Sequence, residues 1–391
     1  MGNTTPWLLP FAPSKSDPRM APEKPEIYLD WNATTPLCDE ARTAQELAAR
    51  QAWGNPSSVH GSGRRARRLL DEVREALAGM LGVHRRDVLF TSGGTEANNL
   101  ALGDIGALVT SRMEHPSVVR VAEQHASQGR TVRWLAVPPS GQLCPEQVAE
   151  QLVDLPGNSW VSVMAANHET GVVQPIRAIA DAVHAAGLRL HVDAVQALGK
   201  LPASHWAGAD RVSLAAHKLG GPKGIGALAW VPGSAPHPVL LGGAQERGLR
   251  PGTLDASLVA GFGAALTRAE LLREGRSRLA VLRDGLEAEL VGRVEVNGSP
   301  SERLGHVSNL SFKGWHGDEM VAALDLEGIC VSSGSACSAG TTELSPVIEA
   351  MLGRERALGA VRISLGEATT ALDVERLLGS IHGILATQPN P

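Results

Sequence analysis

Short apolar runs alternate with amphipathic helical patterns from Ile27 to about Gly233. In one of the helical patterns, IRAIADAVHAAG, Ile176, Ile179 and Val183 share one face of a 3.6-residue period. Strands that alternate with helices predict a mostly parallel sheet that is covered by helices. Ligands of such sheets bind beyond the carboxyl ends of the strands, so we expect a functional site there. The strand-like runs that matter most are DVLFTS, WVSVMAAN, LRLHVDA and RVSLAA.

The sequence pattern changes after about Gly261 and predicts a second, smaller α+β domain. A long helical stretch spans residues 264–290. It is followed by the short strand-like runs RVEVNG, VSNLSF, GICVSS and AVRISL. Residues 1–25 contain six prolines, each of which removes a backbone donor and fixes φ, so we expect an extended or disordered tail there. The predicted organisation is this tail, a large domain over 26–262 and a small domain over 263–391.

Composition excludes several classes of protein. The formal net charge of −5 argues against a protein that binds nucleic acid by neutralising phosphates. No apolar run reaches the roughly 18–20 residues of a membrane-spanning helix, so no membrane partner is expected. The first residues lack the regions of a secretory signal, which predicts a cytoplasmic protein. The four cysteines form no C-x-x-C pair and no tight framework, so neither a metal site nor a disulfide scaffold is expected.

Two charged side chains stand at or just beyond the ends of strand-like runs. Asp193 comes near the end of LRLHVDA, where a carboxylate needs a cationic ring nitrogen, an arginine or a helix N-terminus as its partner. Lys218 follows RVSLAA and is itself followed by glycines. Desolvation lowers the pKa of a lysine and makes its amine nucleophilic, as Schiff-base chemistry requires. The alternative is a lysine that extends to solvent or pairs with a carboxylate, as isolated lysines usually do.

Other polar residues mark the ends of further predicted strands. DVLFTS continues into Gly93, Gly94 and Thr95, so the backbone turns sharply as a helix begins. The free amides of such a helix N-terminus favour an anion, although an ordinary glycine turn with a threonine cap is the alternative. His115 follows the run ALVTS, and Asn167 ends WVSVMAAN. A lone histidine in a turn is more often structural than catalytic, so these positions locate a site without deciding its chemistry.

Cys337 differs from the other cysteines in its surroundings. It lies in SSGSACSAG, where all of the remaining residues are Ser, Gly or Ala. A loop of this composition has little to bury, so we expect an exposed and movable thiol. Cys330, in contrast, lies in an apolar run, as structural cysteines usually do. Cys337 is therefore the candidate reactive thiol, with an incidental loop cysteine as the alternative.

Ten short motifs follow one another along roughly residues 26–385. They are YLDWNATTP, GNPSSVH, FTSGGTEANNL, EHPSV, NHETGVVQPI, HVDAVQALGK, AHKLGGPKGIGAL, ERGLRPGT, SSGSACSAG and VRISLG. In this order the motifs resemble those of the pyridoxal-phosphate-dependent cysteine desulfurases of the class-V aminotransferase superfamily. The loop around Cys337 resembles that of the iron–sulphur-cluster and nitrogen-fixation type. The resemblance implies fold type I, with a mostly parallel seven-stranded sheet in a large cofactor-binding domain and a smaller α+β domain that carries Cys337.

The resemblance also implies a role for each candidate residue. Lys218 would bind pyridoxal phosphate covalently, Asp193 would pair with its pyridinium nitrogen, and His115 would stack on the ring and serve in proton transfer. Arg362 would take the substrate carboxylate, for which its planar fork is suited, and Asn167 would also touch the substrate. The further cofactor contacts that the resemblance implies are Gly94, Thr95, Asn167, Gln196 and His217, with Thr253 from a second subunit.

The implied reaction converts L-cysteine to L-alanine and leaves the sulfur on Cys337 as a persulfide for an acceptor protein that the sequence does not identify. The role of Thr253 implies a homodimer. A selenocysteine lyase, a cysteine sulfinate desulfinase and a plain aminotransferase share the fold and are the alternative enzymes. A non-catalytic scaffold that keeps the fold is the remaining alternative, against which the joint presence of Lys218, Asp193, His115 and Cys337 argues.

The chain departs from the family pattern at one position that matters. The family usually has a serine three residues before the covalent lysine, where it bonds the cofactor phosphate, and this chain has Ala215. One neutral hydrogen bond contributes about 0.5–1.5 kcal/mol, and one to a charged group contributes somewhat more. We therefore expect weaker retention of the cofactor, without loss of function.

Overall fold

The computed structural model of the chain describes residues 25–273, 277–334 and 344–386. Two features predicted from the sequence, the tail (except Pro25) and the thiol of Cys337, lie outside these residues. None of the helices within the described ranges combines the length and the apolar character that crossing a bilayer requires.

The first described elements are strand β1 (Ile27–Tyr28) and helices α1 (Asp39–Gln51) and α2 (Gly61–Leu81). A seven-stranded sheet follows, with strands β2 (Val88–Thr91), β3 (Leu108–Ser111), β4 (Val132–Leu135), β5 (Trp160–Met164), β6 (Arg189–Asp193), β7 (Arg211–Ala215) and β8 (Gly226–Trp230). The strand order is β2-β8-β7-β6-β5-β3-β4. In this sheet only β8 runs against its neighbours. Every residue of β5, β7 and β8 is buried, because helices cover both faces of the sheet.

The helices between the strands form as their apolar periodicity predicts. Helix α6 (Ile176–Ala185) buries Ile176, Ile179 and Val183, which confirms the predicted face. The helices around the large sheet are α3 (Gly94–Leu102), α4 (Pro116–Ser127), α5 (Pro145–Glu150), α6 (Ile176–Ala185) and α7 (Ala256–Leu272). Helix α7 passes through the predicted domain boundary at 262, and Phe262 packs in the core around the large sheet. The division into two domains at this position stays a prediction.

The C-terminal part forms its own core around a three-stranded antiparallel sheet, in the order β12 (Ala360–Ser364), β10 (Val307–Phe312) and β9 (Val294–Val296). Ile27 and Leu29 of the N-terminal segment pack in this same core, and β1 pairs in parallel with β11 (Ile329–Cys330). This pairing places the residues just after β1 between the two cores. The C-terminal elements are α8 (Ser277–Glu289), β9 (Val294–Val296), β10 (Val307–Phe312), α9 (Gly317–Leu326), β11 (Ile329–Cys330), α10 (Pro346–Leu352), α11 (Arg354–Leu358), β12 (Ala360–Ser364) and α12 (Ala371–Ala386).

Candidate active site

One cavity of about 250 Å³ lies at the carboxyl ends of β6 and β7. Both cores contribute to its wall, since Asp193 and Lys218 come from the large sheet and Arg362 comes from β12. The position agrees with the rule that parallel sheets bind ligands beyond their carboxyl ends. Of the predicted site residues, those that line this cavity are Gly94, Thr95, His115, Asp193, Gln196, His217, Lys218 and Arg362.

Lys218 lies in a short 3-10 turn that directly follows β7. Its Nζ donates hydrogen bonds to the main-chain oxygens of Asn32 and Ala33, at 2.6 and 2.8 Å. Those two carbonyls belong to the segment after β1, which the C-terminal core holds in place. The amine is therefore held at a defined point of the cavity wall.

Asp193 ends β6 and is only 6% exposed. Its Oδ1 accepts from the main-chain N–H of Val195 at 3.0 Å, and its Oδ2 accepts from Nδ2 of Asn98 at 2.7 Å. Gln196, which follows on the next turn, donates from Nε2 to the Asn32 oxygen at 2.9 Å. The Val195 N–H and the Asn98 amide hold the Asp193 carboxylate in place, and its negative charge needs a cationic partner to offset its burial.

His115 caps the N-terminus of α4. Its Nδ1 accepts from the main-chain N–H of Ser117 at 3.1 Å and lies 2.7 Å from the Ser117 hydroxyl. Burial lowers the pKa of His115; Asp193 opposes the shift and Lys218 adds to it. The imidazole is therefore neutral near pH 7.

A group of hydrogen-bond donors suited to an anion lines the cavity. Helix α3 begins at Gly94, where an added Cβ would lie 2.7 Å from Cγ2 of Val195, so the turn requires glycine. Thr95 and His217 also line the cavity, and Nδ1 of His217 lies 3.1 Å from the Thr34 hydroxyl. Burial, with Lys218 and other nearby lysines, lowers the pKa of His217 to about 4, so the neutral ring still offers one N–H donor.

Arg362 lies on β12 and is 2% exposed. One terminal nitrogen, Nη2, donates to Oδ1 of Asp30 at 2.7 Å, and Nη1 donates to the main-chain oxygen of His168 at 3.1 Å. Its Nε has no hydrogen-bond partner among the residues described. Asp30 offsets the buried charge, and the fork retains donors for a carboxylate.

Three predicted site residues do not line this cavity in the described structure. Oδ1 of Asn167 accepts from the main-chain N–H groups of Glu169 and Thr170, both at 2.9 Å, and its Nδ2 donates to the Met113 oxygen at 3.0 Å. Thr253 lines a separate cavity of about 320 Å³. Cys337 falls outside the described residues. The predicted contacts of all three with cofactor or substrate stay predictions.

His168 lines the cavity and was not identified from the sequence. It is 8% exposed, and neither ring nitrogen has a hydrogen-bond partner within the described ranges. Its ring meets the His115 ring edge-on, with 5.6 Å between centroids. Burial, then His115, Arg362 and Lys218, lowers the pKa of His168 well below its ordinary range, so the ring is neutral.

Asn98 and Ser117 also line the cavity, and the sequence did not predict them as site residues. Both lie inside the motifs quoted above, in GGTEANNL and EHPSV. No spacing rule connects two residues that are 19 positions apart on different helices, so the sequence carried no signal of their contact.

Comparison with known proteins agrees with the geometry. The model of the family described as Aminotransferase class-V matches residues 27–377. A relative named cysteine desulfurase, from Cereibacter sphaeroides, is 41% identical over 368 residues, which cover 90% of this chain and 94% of the relative.

Solved structures agree as well. A structure titled NifS-like protein superposes with a TM-score of 0.85 at 30% identity and covers 93% of this chain and 100% of that one. A structure titled SspA in complex with cysteine gives a TM-score of 0.73 at 30% identity, over 86% of this chain and 98% of that one. The fold is that of the fold type I pyridoxal-phosphate enzymes. The chain therefore belongs to the class-V aminotransferase family and, within it, to the cysteine desulfurases.

Proposed function

We propose that this chain is a pyridoxal-phosphate-dependent enzyme that converts L-cysteine to L-alanine and transfers the sulfur to Cys337. The observation that carries the proposal is the convergence of Lys218, Asp193 and Arg362 on one cavity, which the glycine turn at the start of α3 also lines. The relative from Cereibacter sphaeroides bears the name of this activity, and a structural neighbour was solved with cysteine.

The residues of the cavity fit pyridoxal phosphate. Lys218 supplies an amine for the aldehyde, and Asp193 supplies a buried carboxylate for the pyridinium nitrogen. The turn at Gly94, with Thr95 and His217, supplies donors for the phosphate, and a Cβ at Gly94 would fill the space against Val195. When bound, the cofactor supplies an electron sink for the charge that develops on the substrate Cα.

The chain's own residues bind the substrate and move its proton. The remaining donors of Arg362 bind the substrate carboxylate, while Asp30 keeps the fork in a fixed orientation. The Nζ of Lys218 takes the proton from the substrate Cα, because two carbonyls hold this amine at the cavity wall. His115 presents its Nε2 to the cavity, since its Nδ1 is occupied by Ser117.

The sulfur leaves the substrate by attack of the Cys337 thiolate. A new S–S bond forms as the substrate C–S bond breaks, and the electron pair of that bond goes to the substrate carbon. The sulfur keeps its proton and remains on Cys337 as a persulfide. Ser332, five positions earlier in the chain, exchanges two backbone hydrogen bonds with Arg362, so the segment that carries Cys337 leaves the described structure beside the substrate-binding arginine.

The proposal also covers the partners and the location of the enzyme. Thr253 reaches the cofactor phosphate of a second subunit, which makes the enzyme a homodimer, and an acceptor protein takes the sulfur from Cys337. We place the enzyme in the cytoplasm.

The test measures alanine formation from cysteine, selenocysteine and cysteine sulfinate with pyridoxal phosphate present. Lys218→Ala should lose all three activities, while Lys223→Ala, in the same loop, should keep them. Cys337→Ala should lose the reaction with cysteine, while Cys330→Ala should keep it. Transfer of the amino group to a 2-oxo acid without sulfur release would indicate a plain aminotransferase, and a protein that never binds the cofactor would indicate a scaffold.

A further inference from the structure

A continuous line of hydrogen bonds connects Asp193 to His115 along the cavity wall. Nδ2 of Asn98 lies 2.7 Å from Oδ2 of Asp193 and 2.8 Å from Oγ of Ser117. Oγ of Ser117 in turn lies 2.7 Å from Nδ1 of His115. Asn98 is 1% exposed and Ser117 is 7% exposed, so solvent does not compete for these contacts.

The direction of each hydrogen bond follows from the chemistry of the groups. The Asp193 carboxylate only accepts, so the Asn98 amide turns its nitrogen toward it and uses its second N–H toward Ser117. The Ser117 hydroxyl accepts this bond and points its own hydrogen at Nδ1 of His115. The main-chain N–H of Ser117, which can only donate, also points at that nitrogen. Nδ1 is therefore an acceptor, and the ring proton lies on Nε2.

We propose that Asn98 and Ser117 are positioning residues that hold His115 as the Nε2–H imidazole and fix its ring relative to the Asp193 carboxylate. The inference rests on the proposed function, because the position of the His115 ring relative to the Asp193 carboxylate matters for a cofactor that both residues would contact. A proton on Nδ1 would exclude the main-chain N–H of Ser117, which can only donate, and would force the Ser117 hydroxyl to turn its own hydrogen away, so the nitrogen that faces the cavity keeps its proton.

The charged and titratable groups around His115 leave its preference for the Nε2–H tautomer in place. Asp193, Lys218 and the neutral ring of His168 face His115 from β6, the turn after β7 and the loop after β5. The carboxyl of the neighbouring Glu114 is bonded to the backbone at the end of β5, where its Oε1 accepts from the Met164 main-chain N–H at 3.1 Å. The positive N-terminal end of α4 also disfavours a proton on Nδ1.

The tautomer of His115 can be measured by NMR on ¹⁵N-histidine-labelled protein without cofactor, with His115→Gln to assign the signal. The wild-type protein should show the Nε2–H form. Ser117→Ala should raise the ratio of the Nδ1–H to the Nε2–H form roughly 3- to 10-fold, the effect of losing one neutral hydrogen bond. Ser117→Thr, which keeps the hydroxyl, should restore the wild-type ratio.

Ser162→Ala is the matched control, because Oγ of Ser162 lies 2.8 Å from Nδ1 of another buried histidine, His191, outside the cavity. It should change the His191 signal and leave His115 unchanged. If Ser117→Ala does not fold, Ser117→Cys gives the same comparison with a weak donor of similar size.

An Nδ1–H or doubly protonated His115 in the wild type at neutral pH would overturn the proposal, as would an unchanged ratio in the folded Ser117 variants. The measurement needs neither cofactor nor turnover, so it separates this inference from the proposed function. The expected tautomers in a protein that never binds pyridoxal phosphate would refute only the proposed function.

Discussion

Ala215→Ser should tighten the binding of pyridoxal phosphate, because it adds a hydroxyl to the cavity wall beside the turn at Gly94. Ala215 lines the cavity, and its Cβ lies 3.7 Å from the point where a Cβ on Gly94 would sit. A hydroxyl at this position therefore lies against the turn that we assign to the phosphate.

The magnitude follows from one hydrogen bond to a charged acceptor, which contributes about 1.5–3 kcal/mol. Because tenfold in affinity corresponds to about 1.4 kcal/mol, the lower end of this range predicts a dissociation constant about 10-fold smaller. In the protein without cofactor the same hydroxyl is buried, since Ala215 is 0% exposed, so we expect a slightly less stable cofactor-free form.

Equilibrium dialysis of pyridoxal phosphate against the cofactor-free variants measures the effect. Ala216→Ser is the matched control, because Ala216 is equally buried but packs in the main core and does not line the cavity. It should leave the dissociation constant unchanged. An Ala215→Ser protein that folds normally and binds the cofactor no more tightly would refute the assignment of the phosphate to the Gly94 turn.

Two further predictions concern stability. Arg74→Met should lower the free energy of unfolding by about 3–5 kcal/mol, because it leaves the Glu246 carboxylate, 4% exposed, without the guanidinium that lies 2.6 Å away. Arg42→Met removes only exposed contacts, the pair with Asp39 and a 3.5 Å hydrogen bond to the Leu37 oxygen, and should change the free energy of unfolding measured in urea by less than about 1 kcal/mol; equal losses would contradict the reasoning. Burial lowers the pKa of His191 from 6.5 to about 3, so its contribution to stability is complete above pH 6.5 and is lost as the pH falls toward 3. Unfolding measured across that pH range should show a shallower dependence in His191→Asn than in the wild type, and identical slopes would refute the assignment.

The positions of Asp193 and Lys218 show what could be predicted from the sequence. Apolar runs followed by a charged residue are local features, and the strands predicted there form as β6 and β7. Their shared cavity follows from the general rule for parallel sheets, and the resemblance supplied the roles.

Features that depend on contacts distant in the sequence escaped this reasoning. The stretch Gly226–Trp230 is not among the strand-like runs named from the sequence, yet it forms β8, since its pairing with both β2 and β7 provides the hydrogen bonds. Ile27 and Tyr28 form a strand only because Ile329 and Cys330 pair with them. The contacts of Asn98 and Ser117 arise where two helices meet, which periodicity along the chain does not reveal.

The proposed reaction requires Lys218 and Cys337 to act on the same cysteine molecule. Mass spectrometry of the peptides from enzyme incubated with pyridoxal phosphate and L-cysteine detects the transferred sulfur. We expect one added sulfur atom on the Cys337 peptide, none on the Cys330 peptide, and no added sulfur in Lys218→Ala. Alanine formation with an unmodified Cys337, or an added sulfur that persists in Lys218→Ala, would contradict it.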